Sequence, residues 1–190
     1  MSRVPLVETE DLPPAYRDRE LLTSQAIRPG EPLRLLGALG NAPALLEARL
    51  SYSASVRKQC GLSTRERELV VLQVAATLES AYVWHQHVLF AGGDLLSERE
   101  IRAIRQGEYE RFAPEERVLL RYVSCLLDRD VDDAIHARLV EAYGTETVVG
   151  VVLLATAYVD VATLIDAFDI EPESPFVGWL PEGLDDTDGA

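Results

Sequence analysis

From Glu31 onward the chain is divided almost entirely by helix starts and helix stops, and this limits the fold more than any other feature. Ser63 followed by Glu66 is a capping box: the serine oxygen takes a free N–H of the first turn, and the glutamate returns a bond to the serine N–H. Ser97 followed by Glu100 repeats it. Pro43 suits the first turn of a helix running to about Gln59, with Gly61 as its stop. Leu69, Leu72, Val74, Ala75 and Leu78 give the next helix a wide apolar surface. Ser80 is placed to cap a further helix that ends at Gly92-Gly93. Pro114 opens a helix to about Asp128, and Asp132 or Asp133 caps one that ends at Gly144. Thr145 opens the last long helix, to about Phe168. Residues 148–154 are rich in β-branched valine, yet they sit in a helix-length segment, and no stretch alternates as a strand does. The expectation is a single all-α domain over residues 1–190, a bundle of about seven to nine helices. Residues 1–30 are proline-punctuated, with one short helix near 15–22 after Pro13-Pro14. Residues 171–190 hold six acids and no Lys or Arg, and read as a tail dispensable for folding.

The chain has 190 residues, 47% of them apolar, which is enough for one ordinary core. Its formal net charge is −14. Nucleic acid and anionic lipid demand clustered cations, whereas Arg17, Arg19, Arg28 and Arg34 are spread along helices, so neither partner is expected. Cys60 and Cys125 are single and far apart, and read as free thiols in a reducing compartment. The opening residues MSRVPLVETEDLPP have no apolar core of a signal peptide. The most apolar run, 148–159, ends at Asp160 and is too short to span a bilayer. A cytoplasmic location follows by default.

Candidate chemistry concentrates in residues 68–93, where two of the three histidines and one of the two tryptophans fall within four residues. Ser80, Val83 and His87 are three and four apart, so they share one helix face. His87 has the residue type that can give and take protons near neutral pH. Glu68 on the preceding helix can orient or charge it, provided both face one cleft. Tyr82 and Trp84 are amphipathic aromatics that suit either a core edge or the wall of an apolar pocket, where the Tyr82 hydroxyl could donate to a substrate oxygen. His85 lies two residues from His87 and points elsewhere, so the two make poor joint ligands and no metal site is expected. There is no phosphate loop, dinucleotide fingerprint or nucleophile elbow.

The segment resembles the carboxymuconolactone decarboxylase/AhpD-like family. That family's peroxidase branch shows Glu, eleven residues, Cys, two residues, Cys, three residues, His. Glu68 and His87 stand at that separation, while Ser80 and Val83 occupy the two cysteine positions and Tyr82 the place of an intervening histidine. The flanks Leu62-Ser63-Thr64-Arg65-Glu66-Arg67 and Leu96-Ser97-Glu98-Arg99-Glu100-Ile101, with Ile104 and Gly107, match as well. The resemblance implies an AhpD-like helical bundle, assembled as a trimer or hexamer. It also implies a site with Glu68, His87 and Tyr82 as catalytic candidates and Ser80, Val83 and Trp84 against a small-molecule substrate, with no cofactor. A thiol peroxidase or disulfide reductase needs two neighbouring sulfurs, which this chain lacks in the motif. The readings left are a decarboxylase-like acid/base enzyme on a small organic acid or lactone, and a non-catalytic oligomer that binds a small molecule.

Overall fold

The computed structural model describes residues 2–8, 11 and 33–182. Among them the chain forms seven α-helices and no strand: α1 Arg34–Leu39, α2 Pro43–Gln59, α3 Thr64–Thr77, α4 Ala81–Ala91, α5 Glu98–Gln106, α6 Pro114–Asp128 and α7 Asp133–Phe168. A 3-10 turn, Tyr109–Arg111, links α5 to α6. The short helix expected near 15–22 lies outside the described residues, as do Arg17, Arg19, Arg28 and the last residues of the acidic tail.

The helix ends follow from local chemistry. Ser63 and Ser97 each form both arms of a capping box, with Glu66 and Glu100. Pro43 and Pro114 sit at helix starts, where a missing N–H costs nothing. Asp132 caps α7, its Oδ1 accepting from the Ile135 N–H at 2.8 Å. Gly144 leaves helical geometry at φ 79° and ψ 158°, which breaks α7 where the sequence suggested two helices.

Helix α3 is the centre of the bundle. Every residue from Glu68 to Ala76 is buried, and α3 packs against α4, α5, α6 and α7. One side sets Leu69, Leu72 and Ala75 against Val83, Trp84 and Val88 of α4 and Ile101 and Ile104 of α5. The other sets Val70 and Val74 against Leu119 and Val123 of α6 and Val151 and Leu154 of α7. Each of the larger aliphatic side chains contributes roughly 1.5–3 kcal/mol by leaving water. Arg65 ties the start of α3 to its neighbours. It donates from Nε to Glu116 of α6 at 2.7 Å and from Nη1 to the Leu95 carbonyl at 2.6 Å, and it pairs with Glu100 of α5.

Helix α7 is long and apolar enough, by length and composition, to cross a membrane, so the shorter run read from the sequence understates it. In the structure it lies in the bundle, with Val148, Val151, Leu154, Ala155, Ala162 and Ile165 buried. Gly150 lets it touch the end of α2. A Cβ there would stand 2.3 Å from the Cys60 carbonyl oxygen, and backbone cannot move aside as a side-chain tip can. Cys60 and Cys125 are both free, the first buried.

The largest departure from expectation is the C-terminal segment. Residues 171–182 do not hang free; they strap α4 from outside. The Trp84 indole donates to the Gly178 carbonyl at 3.0 Å and lies 5.8 Å from the Trp179 ring. Arg105 covers the other ring system, 4.5 Å from the Trp179 centroid. The Tyr82 hydroxyl donates to Glu173 Oε1 at 2.5 Å, and the same oxygen accepts from the Arg34 N–H at 2.8 Å. Few apolar residues therefore suffice, because polar pairings and two indoles in tilted contact fix the segment.

His85, fully buried, is held on both ring nitrogens by this strap. The Val177 N–H donates to Nδ1 at 3.2 Å, so Nδ1 carries no proton, and Nε2 donates to the Ser174 hydroxyl at 2.9 Å. Burial lowers the pKa of this imidazole, the Glu173 carboxylate partly opposing. A lowered pKa means that the folded chain binds fewer protons than the unfolded one. The contribution is whole above the unfolded value of about 6.5 and is lost as pH falls below it. Between pH 7 and pH 5.5 the melting temperature of the native chain should drop by about 2–4 °C more than that of His85→Gln, taking ~1 kcal/mol for one neutral hydrogen bond. Equal drops, followed by circular dichroism, would show that the strap does not depend on His85.

Candidate functional site

Four helices deliver one side chain each to a single cluster. Glu68 comes from the first full turn of α3 and is 0% exposed. The tight turn at Glu79, whose φ is 53°, folds α4 back along α3 and carries His87 to it. Glu68 Oε2 and His87 Nδ1 are 2.5 Å apart. Arg57, in the last turn of α2, brings its Nη2 to 3.9 Å from the other carboxylate oxygen. Tyr158 of α7 completes the group, its hydroxyl accepting from Arg57 Nη1 at 3.0 Å. The His87 ring stands edge-on to Tyr158, centroids 5.0 Å apart and planes at 83°.

The chemistry of this cluster is asymmetric. With Glu68 as a carboxylate, Nδ1 carries the imidazole proton and donates it, which leaves the Nε2 lone pair as a base. Among the described residues Nε2 has no hydrogen-bond partner, and the His87 side chain is 14% exposed. Glu68 Oε1 is buried and makes no hydrogen bond. Burial pushes the Tyr158 hydroxyl above its ordinary pKa, Arg57 opposing, so it stays protonated through the neutral range. Tyr158 and, less strongly, the Glu68 carboxylate raise the pKa of Arg57, with burial opposing them.

Among the described residues the remaining predicted residues make no hydrogen bond to these four, although Tyr158 packs against the core cluster that holds Val83 and Trp84. Tyr82 does not line the Glu68–His87 cluster: it points into a set formed by Leu35 and Ala38 of α1 with Ile165 and Ile170, and its hydroxyl is taken by Glu173. Burial, then the Glu173 carboxylate, pushes its pKa well above the ordinary value. Trp84 is not a pocket wall either, because its ring is enclosed between the α3–α5 core and the strap. Ser80 holds the N-cap position of α4 but forms no side-chain cap, and its hydroxyl is buried without a partner. Val83 is a core residue. A surface cleft of about 280 Å³ lies along α5, lined by Arg99, Arg102, Gln106, Glu108 and Arg111, and holds none of the predicted residues. No group of three or more His, Cys, Asp or Glu among the described residues could hold a metal ion.

Sequence reasoning missed Arg57 and Tyr158. Neither was singled out: Arg57 is one of two cations in the last turn of α2, a common place for them, and Tyr158 is one polar tip in an apolar helix. The one available signal was a tyrosine late in the apolar run 148–159, on a helix that must pack against α3.

Residues 43–124 match the carboxymuconolactone decarboxylase family. No curated protein matches the chain. Among solved structures, debrominase Bmp8 bound to 2,3,4-tribromopyrrole is 12% identical, covering 90% of this chain and 91% of its own, with a TM-score of 0.75. An uncharacterised peroxidase-related protein with an alkylhydroperoxidase AhpD core, from Ralstonia eutropha, is 17% identical over 94% of this chain and 96% of its own, with a TM-score of 0.69. A protein of unknown function from Agrobacterium tumefaciens, a candidate AhpD of antioxidant defence, is 20% identical over 72% of this chain and 95% of its own, with a TM-score of 0.66. Those identities speak for the shared fold alone. The segment that supplies Arg57, Glu68 and His87 thus lies within the stretch that matches the carboxymuconolactone decarboxylase family, and the chain folds as an AhpD-like helical bundle.

Proposed function

We propose that this chain is a cofactor-free acid/base enzyme acting on a small organic acid or lactone. His87 is the proton carrier and Glu68 its positioning partner. The observation that carries this reading is the 2.5 Å contact between a fully buried carboxylate and a histidine whose second nitrogen is free. A carboxylate that fixes one nitrogen of an imidazole sets its tautomer and aims the other at a substrate, which is how such pairs work in unrelated enzymes. Membership of residues 43–124 in a decarboxylase family supports the reaction class. Tyr82, Trp84, Ser80 and Val83 have no proton-transfer role in this proposal, since their polar atoms are engaged by the strap or sealed in the core.

Substituting His87→Gln or Glu68→Gln should lower turnover of a lactone or small keto acid by about a hundredfold or more, the usual share of one acid/base group. Helical content and particle size should stay as they are. Activity that survives His87→Gln would end the proposal.

The solved relatives of peroxidase type suggest a second reading, which the dithiol positions oppose. Ser80 and Val83 offer no sulfur, and Cys60 is buried at the end of α2 with its thiol against the Arg57 carbonyl. Reduction of alkyl hydroperoxides should stay at background in a coupled assay. Robust turnover abolished by Cys60→Ser or Cys125→Ser would restore the peroxidase reading.

We also propose a homo-oligomer, a trimer or hexamer, in a reducing cytoplasm. Helix α2 exposes Leu45 (73%) and Tyr52 (44%), and α7 exposes Val149 (55%) and Leu153 (42%). Exposed apolar residues on two helices that pack together favour association. Sedimentation should give a multiple of 21 kDa, and a monomer at micromolar concentration would refute it.

A further inference from the structure

Two of the four clustered residues have a part in proton transfer, and the other two stand beside them without one. We infer that Arg57 and Tyr158 form an oxyanion-binding pair, which holds a substrate carbonyl oxygen as it becomes an enolate. The chemistry assigned here rests on the reading of His87 as proton carrier; the site rests on geometry alone.

Three observations converge. First, the Tyr158 hydroxyl accepts from Arg57 Nη1 at 3.0 Å, so its own proton is free to donate. Among the described residues no acceptor takes that proton. A phenol polarised by a guanidinium is a strong donor toward a forming oxyanion. Second, the Arg57 side chain is 32% exposed, so a molecule entering from solvent can reach its charge. Third, Tyr158 lies against the His87 ring, which sets the free base nitrogen and the hydroxyl donor on neighbouring rings. A carbon acid would use both, its C–H turned toward one group and its carbonyl toward the other.

The step balances in atoms and charge. His87 Nε2 removes the proton from the carbon beside the carbonyl. The C–H electron pair becomes the new C=C bond, and the carbonyl pair moves onto oxygen. The enolate oxygen accepts from Tyr158 and faces Arg57, while the proton rides on His87 as imidazolium against Glu68. Two opposite charges are created where one neutral base and one carbonyl stood. Each meets a fixed partner, imidazolium with Glu68 and enolate with Arg57, so the net charge of the site is unchanged. Returning the proton to a different carbon or oxygen completes an isomerisation, and loss of carbon dioxide in place of the proton gives the same enolate.

The test uses 4-nitrophenol as an oxyanion probe, because phenol and phenolate differ in colour and no turnover is needed. Near the dye's own pKa, adding native protein should raise the phenolate band, with phenolate bound about tenfold more tightly than phenol. Tyr158→Phe and Arg57→Lys should each remove most of that preference while circular dichroism stays native. An unchanged dye spectrum with native protein, or a preference that persists in both folded variants, overturns the inference. A second measurement needs no variant: benzoate should displace the dye and benzamide should not, and equal displacement by the two also overturns it. A protein that binds phenolate and yet turns over no acid or lactone would sink the proposed enzyme and leave this site standing.

Discussion

A carboxylate at zero exposure is the constraint around which this molecule is arranged. Burying an uncompensated charge is costly, so Glu68 requires partners, and they arrive from two other helices. Helix α3 can be central only because its single buried charge is met by His87 and faced by Arg57. The same requirement holds the last turn of α2 and the returning helix α4 against α3. Structural need and chemical opportunity coincide there, since the groups that compensate the charge are also groups that move protons.

The bundle divides the labour of α4 between its two sides. One side, through His87, belongs to the cluster with Glu68 and Tyr158. The other, through Tyr82, Trp84 and His85, is held by the C-terminal strap. A short helix so gripped on both flanks has little freedom to rotate. That rigidity suits a base whose nitrogen must be aimed within tenths of an ångström.

Helix boundaries were legible in the sequence because they are set by neighbours. A serine and a glutamate three residues apart, a proline or a glycine act within one turn, and Ser63, Ser97, Pro114 and Gly144 each do what their spacing announces. The contact of Glu68 with His87 was legible through motif spacing alone, as the charged run Arg65-Glu66-Arg67-Glu68 looks solvated. Arg57 and Tyr158 were not legible, since they meet across 101 positions of sequence. The strap was misread for a related reason. An acidic, proline-broken segment has the composition of a free tail, and what docks it are single pairings such as Glu173 with Tyr82 that no average can reveal.

Gly150 has a further meaning in this setting. Helices α2 and α7 meet there with no side chain between them, backbone lying against backbone at the Cys60 carbonyl. Side-chain spacers are compliant, because rotamers change and methyl groups come and go over evolutionary time. A contact without a spacer is a fixed datum. Arg57 lies one turn before it on α2 and Tyr158 about two turns after it on α7. Their separation is therefore gauged by the thickness of two main chains, which no substitution can thin. Substitutions on either helix can change what the cluster carries, while the contact that spaces it stays set by main chain.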